Sequence, residues 1–326
     1  MRILFWGTPD FAVPPLRALL GEGHEVVGVV TQPDRPRGRS RSQLDPSPVK
    51  RVALEEQLPV LQPERPRGEA FLEAMRALEP ELSVVVAYGH ILPQAVIDLP
   101  RLGTLNIHAS LLPALRGAAP IQAAILQGLP ETGITIMQMV QALDAGAMLH
   151  VLRTPLGEEI TYGELHDHLA EQGALAIVQA LALLEAGVAH AIPQDDTLAT
   201  YAPKISRAMA RLDFREPSTV VSRICRAFDP RPGAYATLRG AEVKLFGARR
   251  LGDGTDAALD APTVASPPGT VRSCDSEGLV VRCGEGAVRF LDVQPVGRAR
   301  MGVTEWARGR GVVSGDQFTW SDDATP

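Results

Sequence analysis

The 326-residue chain reads as a mostly parallel α/β sheet domain followed by a smaller, all-β domain. Three observations predict this. The first half alternates short, continuous apolar runs with helix-period segments, the pattern of a parallel sheet covered on both faces. The last third carries short β-type runs broken by Gly and Pro, the pattern of a small barrel or sandwich. The length allows about two domains at roughly 150 residues each.

Arg2–Trp6 is an apolar strand that runs into the turn Gly7-Thr8-Pro9-Asp10. A helix over Phe11–Leu20 follows; Pro14 and Pro15 fit its first turn, where the missing N–H groups have no partner anyway. Glu25–Thr31 is the second strand, Ser83–Ala87 the third after a helix over Gly68–Leu78, and Thr104–His108 the fourth. Ile134–Val140 and Ala147–Leu152 read as two more strands, and Tyr162–Gly187 as a long amphipathic helix closing the domain. These elements give domains over 1–188 and 208–318, with 189–207 as a linker. In the second, a helix over Pro217–Phe228 precedes strands at Tyr235–Leu238, Glu242–Phe246, Gly269–Ser273, Leu279–Cys283 and Ala287–Val293. An oligonucleotide-binding type of barrel is one arrangement of such strands. Residues 251–268 read as a flexible insertion and the tail after Trp320 as disordered.

Composition narrows the function classes. No apolar run reaches the roughly 20 residues of a membrane helix. The N-terminus lacks the apolar core and cleavage site of a signal peptide. The three cysteines, Cys225, Cys274 and Cys283, are odd in number and match no metal spacing. A reducing cytoplasm is the simplest home, and a monomer suffices. The net charge of −6 hides an asymmetry: residues 204–250 hold 11 basic and 4 acidic side chains, while residues 1–203 hold 14 and 23. That basic middle is either a solvated face or the footprint of an anionic partner.

Three constellations bear chemistry. In Asn106-Ile107-His108 the strand period puts Asn106 and His108 on one face, at a carboxyl end where doubly wound sheets bind ligands. An amide N–H and an imidazole there either hold an oxyanion and move a proton, or are satisfied structural groups. The loop after His108 is stiffened by two prolines and holds Arg116; it suits a flat heteroaromatic ligand or is an ordinary connection. Asp144, in Leu-Asp-Ala-Gly, either orients His108 or forms a turn. Separately, residues 32–51 carry six basic and two acidic side chains, with Arg35, Arg37, Arg39 and Arg41 alternating with Pro, Gly and Ser. That loop either contacts nucleic-acid phosphates or is solvated. The first turn is not a G-x-G-x-x-G fingerprint, so a dinucleotide site is disfavoured.

The segments FWGTPDFAVP, TQPDRPRGR, PSPVK, VVVAYGHILP, NIHASLLPALRGAAPIQ, TGITIMQM, LDAGAML and ATYAPKIS stand in this order, followed by FDPRPGAYATL and QPVGRARM. Over Arg2 to about Phe318 the chain resembles the bacterial methionyl-tRNA formyltransferase family. The resemblance implies transfer of a formyl group from 10-formyltetrahydrofolate to the amino group of initiator methionyl-tRNA. It implies a Rossmann-type first domain and an oligonucleotide-binding-like barrel as the second. It places catalysis on Asn106, His108 and Asp144, and folate at Ser110, Leu111, Leu112 and Pro113 with Tyr88, Gly89, His90 and Ile91. It places tRNA at Arg35, Arg37, Arg39, Arg41, Lys204 and Arg207. The histidines show no ligand pattern with the cysteines, so no metal is expected. The chain departs from the family where a lysine pair follows the Gly-Arg-Gly of the loop. It departs again at Ala145-Gly146-Ala147, where Thr-Gly-Asp is common, and at Ala114-Leu115, where an aromatic residue is frequent. A small-amine formyltransferase or formyl-folate hydrolase would share the Asn-His-Asp set without needing the arginines. An RNA-binding protein without catalysis would need only the arginines.

Overall fold

The computed structural model describes residues 1–37, 43–251 and 266–319. The chain divides into two compact units. The first comprises Met1–Pro120, Glu131–Pro155 and His166–Pro203; the second comprises Ile121–Pro130, Leu156–Leu165 and the chain from Lys204.

In the first unit, β1 (Arg2–Gly7) leads through a short 3-10 turn at Asp10–Ala12 into α1 (Val13–Gly21). Pro14 and Pro15 occupy its first turn, as the sequence required. β2 (Glu25–Val30) follows, then a hairpin of β3 (Arg35–Arg37) and β4 (Gln43–Asp45), α2 (Pro48–Glu55) and β5 (Val60–Leu61). Next come α3 (Glu69–Ala77), β6 (Leu82–Val86), α4 (Gln94–Ile97), β7 (Thr104–His108) and β8 (Arg116–Gly117). After α5 (Pro120–Gln127), which falls almost wholly in the second unit, come β9 (Glu131–Gln138), β10 (Met148–Pro155), α6 (Tyr162–Glu185), whose first turn also falls in the second unit, and β11 (Tyr201–Ala202).

Seven strands form one sheet in the order β10-β9-β7-β6-β1-β2-β5. β5, β2, β1, β6 and β7 are parallel; β9 and β10 pair antiparallel at one edge. The chain runs outward from β1 on one side, then returns and runs outward through β6 on the other. That reversal makes the carboxyl ends of β1 and β6 the topological switch point of the sheet. Both faces are covered. Leu4, Trp6, Val30 and Val85 pack with Phe71 of α3 and Ile97 of α4. On the opposite face, Gly173 of α6 lies so near the sheet that a Cβ there would stand 3.2 Å from Cγ2 of Ile107. This double burial is why β1, β2 and β6 read as unbroken apolar runs.

The segment from 189 to 203, read above as linker, belongs to the first unit. β11 pairs parallel with β8, and Ile192 bridges Met148. The sequence shows no periodicity there because the segment is held by polar contacts and two-residue pairings rather than by an apolar face.

The second unit holds α7 (Ser218–Ala227) and the strands β12 (Ala234–Leu238), β13 (Ala241–Phe246), β14 (Arg249–Leu251), β15 (Val271–Asp275), β16 (Gly278–Arg282), β17 (Ala287–Phe290) and β18 (Asp292–Pro295). β19 (Met301–Gly302), α8 (Val303–Arg308) and β20 (Phe318–Thr319) complete it. The strands form a five-stranded sheet, β19-β18-β13-β12-β20, and a four-stranded sheet, β14-β17-β16-β15. All their pairings are antiparallel. They enclose a core of Phe214, Val221, Cys225, Leu245, Phe290 and Phe318. The burial alternates along β12, as expected of a strand with one buried face. Most of the insertion expected at 251–268, and the tail after Trp320, lie outside the described residues.

Candidate functional site

β7 ends at the carboxyl edge of the parallel sheet, and its register fixes what it presents there. Ile107 turns toward α6, so Asn106 and His108 share the other face. Asn106 is half-buried, and its amide has no hydrogen-bond partner among the described residues. His108 is buried, and its Nε2 lies 3.0 Å from the carbonyl oxygen of Leu115. A carbonyl only accepts, so Nε2 carries the hydrogen and the neutral ring keeps its lone pair on Nδ1. That Nδ1 stands 3.7 Å from Oδ2 of Asp144. The separation exceeds a hydrogen bond but suits an ion pair once Nδ1 is protonated. The structure thus brings His108 and Asp144 together and places Asn106 on the same strand face as His108.

Asp144 is held on two sides. Its Oδ2 accepts the N–H of Gly117 at 2.8 Å. Its backbone carbonyl accepts Nε2 of Gln194 at 2.8 Å, and so does the carbonyl of Gly146, also at 2.8 Å. The other end of Gln194 is fixed too: its Oε1 accepts Nη2 and Nε of Arg116, at 2.8 and 3.1 Å. Arg116, itself buried, also pairs with Asp196 at 2.7 Å. Gly117 has φ +115, and a Cβ there would lie 2.7 Å from the carbonyl oxygen of Ala202. Only glycine brings this N–H to the carboxylate without displacing β11. Asp144 itself has φ +48, Leu115 +60 and Ala87 +46. Left-handed backbone at non-glycine residues persists only where surroundings impose it, and three such residues gather at this edge.

The Ser110–Pro113 segment is pinned from within. Ser110 donates its hydroxyl to the carbonyl of Ala114 at 2.6 Å, and Leu112 is buried. Thr135 of β9 donates to the carbonyl of Ser110 at 2.7 Å and accepts the N–H of Leu112 at 3.2 Å. Leu111 and Pro113 are the partly exposed side chains of the four. Across the switch point, the ring of Tyr88 is buried edge-on against Trp6, and burial pushes its hydroxyl up to about 12. What Tyr88 offers the edge is its carbonyl, which accepts Nε2 of Gln32 at 2.9 Å. Gly89 has φ +87, and a Cβ there would stand 2.5 Å from that same Gln32 nitrogen. His90 is exposed, and Ile91 is 83% exposed, an unusual state for an isoleucine.

The basic residues are less gathered. Arg35 is exposed and bonds Oε1 of Gln32, while Arg37 lies on β3. Arg39 and Arg41 lie outside the described residues. The base of this hairpin is clamped: Nζ of Lys50 meets Oδ2 of Asp34 at 2.5 Å and Oε1 of Gln62 at 2.7 Å. Nε2 of Gln62 donates to Oδ1 of Asp34 at 2.8 Å. The Lys50 ammonium holds the Asp34 carboxyl below its ordinary range. In the second unit Lys204 is exposed; Arg207 pairs with Glu242 and stands over the ring of Tyr235.

Sequence reasoning missed Gln194 and Gly117, and the roles of Thr135 and the Leu115 carbonyl. Gln194 stands in Pro-Gln-Asp-Asp, a stretch whose only signal was its polarity. Among the described residues, no group of three or more His, Cys, Asp or Glu side chains is arranged to hold a metal. No described helix is long and apolar enough to cross a membrane. The three cysteines are unpaired; burial pushes the Cys283 thiol up to about 12.

Comparison with known proteins extends this picture. A formyl transferase family model matches residues 1–181, and a formyl transferase C-terminal domain model matches residues 204–311. A methionyl-tRNA formyltransferase from Methylococcus capsulatus is 48% identical over 94% of this chain and 96% of its own length. One from Moorella thermoacetica is 44% identical over 97% of this chain and 98% of its own. Among solved structures, HypX from Aquifex aeolicus in complex with tetrahydrofolic acid aligns with a TM-score of 0.63 and 20% identity. That alignment covers 99% of this chain and 51% of HypX. WlaRD, a sugar 3N-formyl transferase, aligns with a TM-score of 0.65 and 14% identity, over 92% of this chain and 99% of its own. These two structural likenesses concern the fold.

Proposed function

The chain belongs to the methionyl-tRNA formyltransferase family, and from that premise we propose that it formylates initiator methionyl-tRNA with 10-formyltetrahydrofolate as donor. One observation carries the reading at the level of chemistry. An amide without a hydrogen-bond partner among the described residues, Asn106, shares a strand face with a histidine whose open nitrogen faces a carboxylate. Addition of an amine to a formyl carbon needs those two capacities, a donor for the oxygen and a place for a proton.

The neutral amino nitrogen of the methionyl group forms a bond to the formyl carbon, and the carbonyl oxygen becomes an oxyanion. The side-chain N–H of Asn106 donates to that oxygen. The amine proton passes to Nδ1 of His108, where the Asp144 carboxylate stabilises the resulting imidazolium. The bond from carbon to the folate nitrogen breaks, and that nitrogen takes the proton. No enzyme nucleophile is needed, and the sequence pairs no Ser or Cys with a base near this edge. The donor fits the rim: exposed Ile91 and the partly exposed Leu111 and Pro113 supply apolar contact, and backbone carbonyls supply polar contact. We assign folate to Ser110–Pro113 and Tyr88–Ile91 on that basis, with Tyr88, Ser110 and Leu112 contributing backbone rather than side chain.

We take the acceptor stem to meet Arg35, Arg37, Arg39 and Arg41, and further tRNA contacts to lie on Lys204, Arg207 and their basic neighbours. The strand order of the first unit supports a Rossmann-type domain. The five-stranded antiparallel sheet of the second supports an oligonucleotide-binding barrel. We take the chain to act as a monomer, and three unpaired thiols suit the reducing cytoplasm.

The test is a transfer assay with labelled 10-formyltetrahydrofolate, offering methionyl initiator tRNA, methionyl elongator tRNA and free methionine in parallel. Label on the initiator species alone is the expected result. Loss of formyl-folate with no labelled tRNA would overturn the tRNA reading and leave a hydrolase or a small-amine formyltransferase.

A further inference from the structure

Asp144 needs an outside brace. It is a non-glycine residue with φ +48, in a turn whose neighbours Ala142 and Leu143 are exposed. Its distance to His108 is 3.7 Å, so a small rotation of the turn would take the carboxylate out of range of the imidazole. Two contacts oppose that rotation. Gly117 grips the side chain, and Gln194 grips the backbone on both sides of Ala145.

The Gln194 amide is saturated. Both of its hydrogens go to the turn, and its oxygen takes two hydrogens from the buried guanidinium of Arg116. An amide held at both ends cannot turn over without breaking four hydrogen bonds. Arg116 in turn opens β8, whose next residue, Gly117, supplies the other grip on Asp144. One buried side chain therefore ties together both fixings of the carboxylate.

We infer that Gln194, braced by Arg116, is a positioning residue that holds Asp144 at its working distance from His108. The segment between α6 and β11 is then a working part of the catalytic unit. This rests on the reading of Asp144 given above. A merely structural Gln194 would lower stability but would not act through Asp144.

The experiment is a double-mutant cycle on the full chain. Gln194→Leu keeps the volume and removes all four hydrogen bonds. It is expected to lower kcat by on the order of 10- to 100-fold, as misplacement of a reacting group does, with KM for formyl-folate and for tRNA within about twofold. In an Asp144→Asn background the same change is expected to cost less than about twofold, because the group it positions is gone. An equal loss in both backgrounds, or no loss in either, overturns the proposal. Gln194→Glu, which keeps the Arg116 contacts and turns an oxygen toward two carbonyls, replaces Leu in the cycle if the first variant does not fold. A second readout needs no substrate: the imidazole 15N resonances of His108, among seven histidines in the chain, are expected to move in the Gln194 variant while the other six stay. An unmoved His108 also overturns the proposal. If the wild-type protein formylates no tRNA, the functional reading fails by itself, and the resonance experiment still decides the role of Gln194.

Discussion

Two polar clusters stand at the carboxyl edge of the parallel sheet, and they are built on opposite plans. Beyond β2, Asp34, Lys50 and Gln62 bond one another, and Gln62 also donates to the carbonyl of Gln32. Each half-buried polar group there has its partner within the protein. Beyond β7 the supporting groups are saturated, but the central ones are not: the Asn106 amide has no partner among the described residues, and Nδ1 of His108 faces a carboxylate just out of hydrogen-bond range. A closed cluster fixes the path of the chain. An open one, held by closed neighbours, keeps donor capacity for something that arrives.

The comparison breaks first at Asn106. Asn106→Ala is expected to lower kcat roughly 100-fold or more, the effect of one oxyanion donor, or about 3 kcal/mol of barrier. Because the amide has no hydrogen-bond partner among the described residues, stability should change by less than about 0.5 kcal/mol. Steady-state kinetics with urea unfolding reads both quantities. A fall in rate under threefold, or a large loss of stability, would make Asn106 a structural residue like those beyond β2.

The closed cluster should behave in the opposite way. Lys50→Met is expected to cost about 1–2 kcal/mol of stability, because it leaves the half-buried Asp34 carboxylate without its charged donor. Its kcat should stay within about twofold of wild type. The pH dependence has a definite sign. The folded-state pKa of Asp34 lies below its ordinary value. Its contribution is therefore present above that ordinary value and lost as pH falls through the folded one. The stability gap between wild type and Asp34→Asn should narrow as the solution is acidified below the carboxylate range. A gap that widens there would refute the assignment.

The two clusters also differ in how far the sequence disclosed them. Asn106 and His108 were legible because a strand has a period of two, which put both on one face from their spacing alone. Asp144 was legible only as a turn residue with a second possible role, and the resemblance decided between the two. Gln194 was not legible. It lies on no periodic element, and it acts across 50 residues of sequence through two backbone carbonyls, a kind of contact that leaves no trace in side-chain pattern. The same cause turned 189–203 into an expected linker. The parallel strands were easy because burial on both faces leaves only apolar residues, whereas the two-residue strands β8 and β11 carry no pattern at all. Tyr88 shows the converse limit: sequence put it beside the site, and packing against Trp6 turned its ring inward.

The smallest effect sharpens the comparison where the closed cluster meets the arginine hairpin. Arg35 is exposed and bonds only the side chain of Gln32 among the described contacts, so its removal should leave folding and kcat unchanged. If its guanidinium meets one phosphate of the tRNA, Arg35→Ala should raise KM for tRNA a few-fold and lower the slope of log affinity against log salt by about 0.7–0.9, the share of a single ionic contact. KM for formyl-folate should not move. The decisive quantity is the salt slope rather than the affinity at one ionic strength, because a disturbed hairpin base would weaken binding without removing a counterion-releasing contact. An unchanged slope with a raised KM would assign Arg35 to the closed cluster, as a support for the hairpin, and leave phosphate recognition to other basic residues.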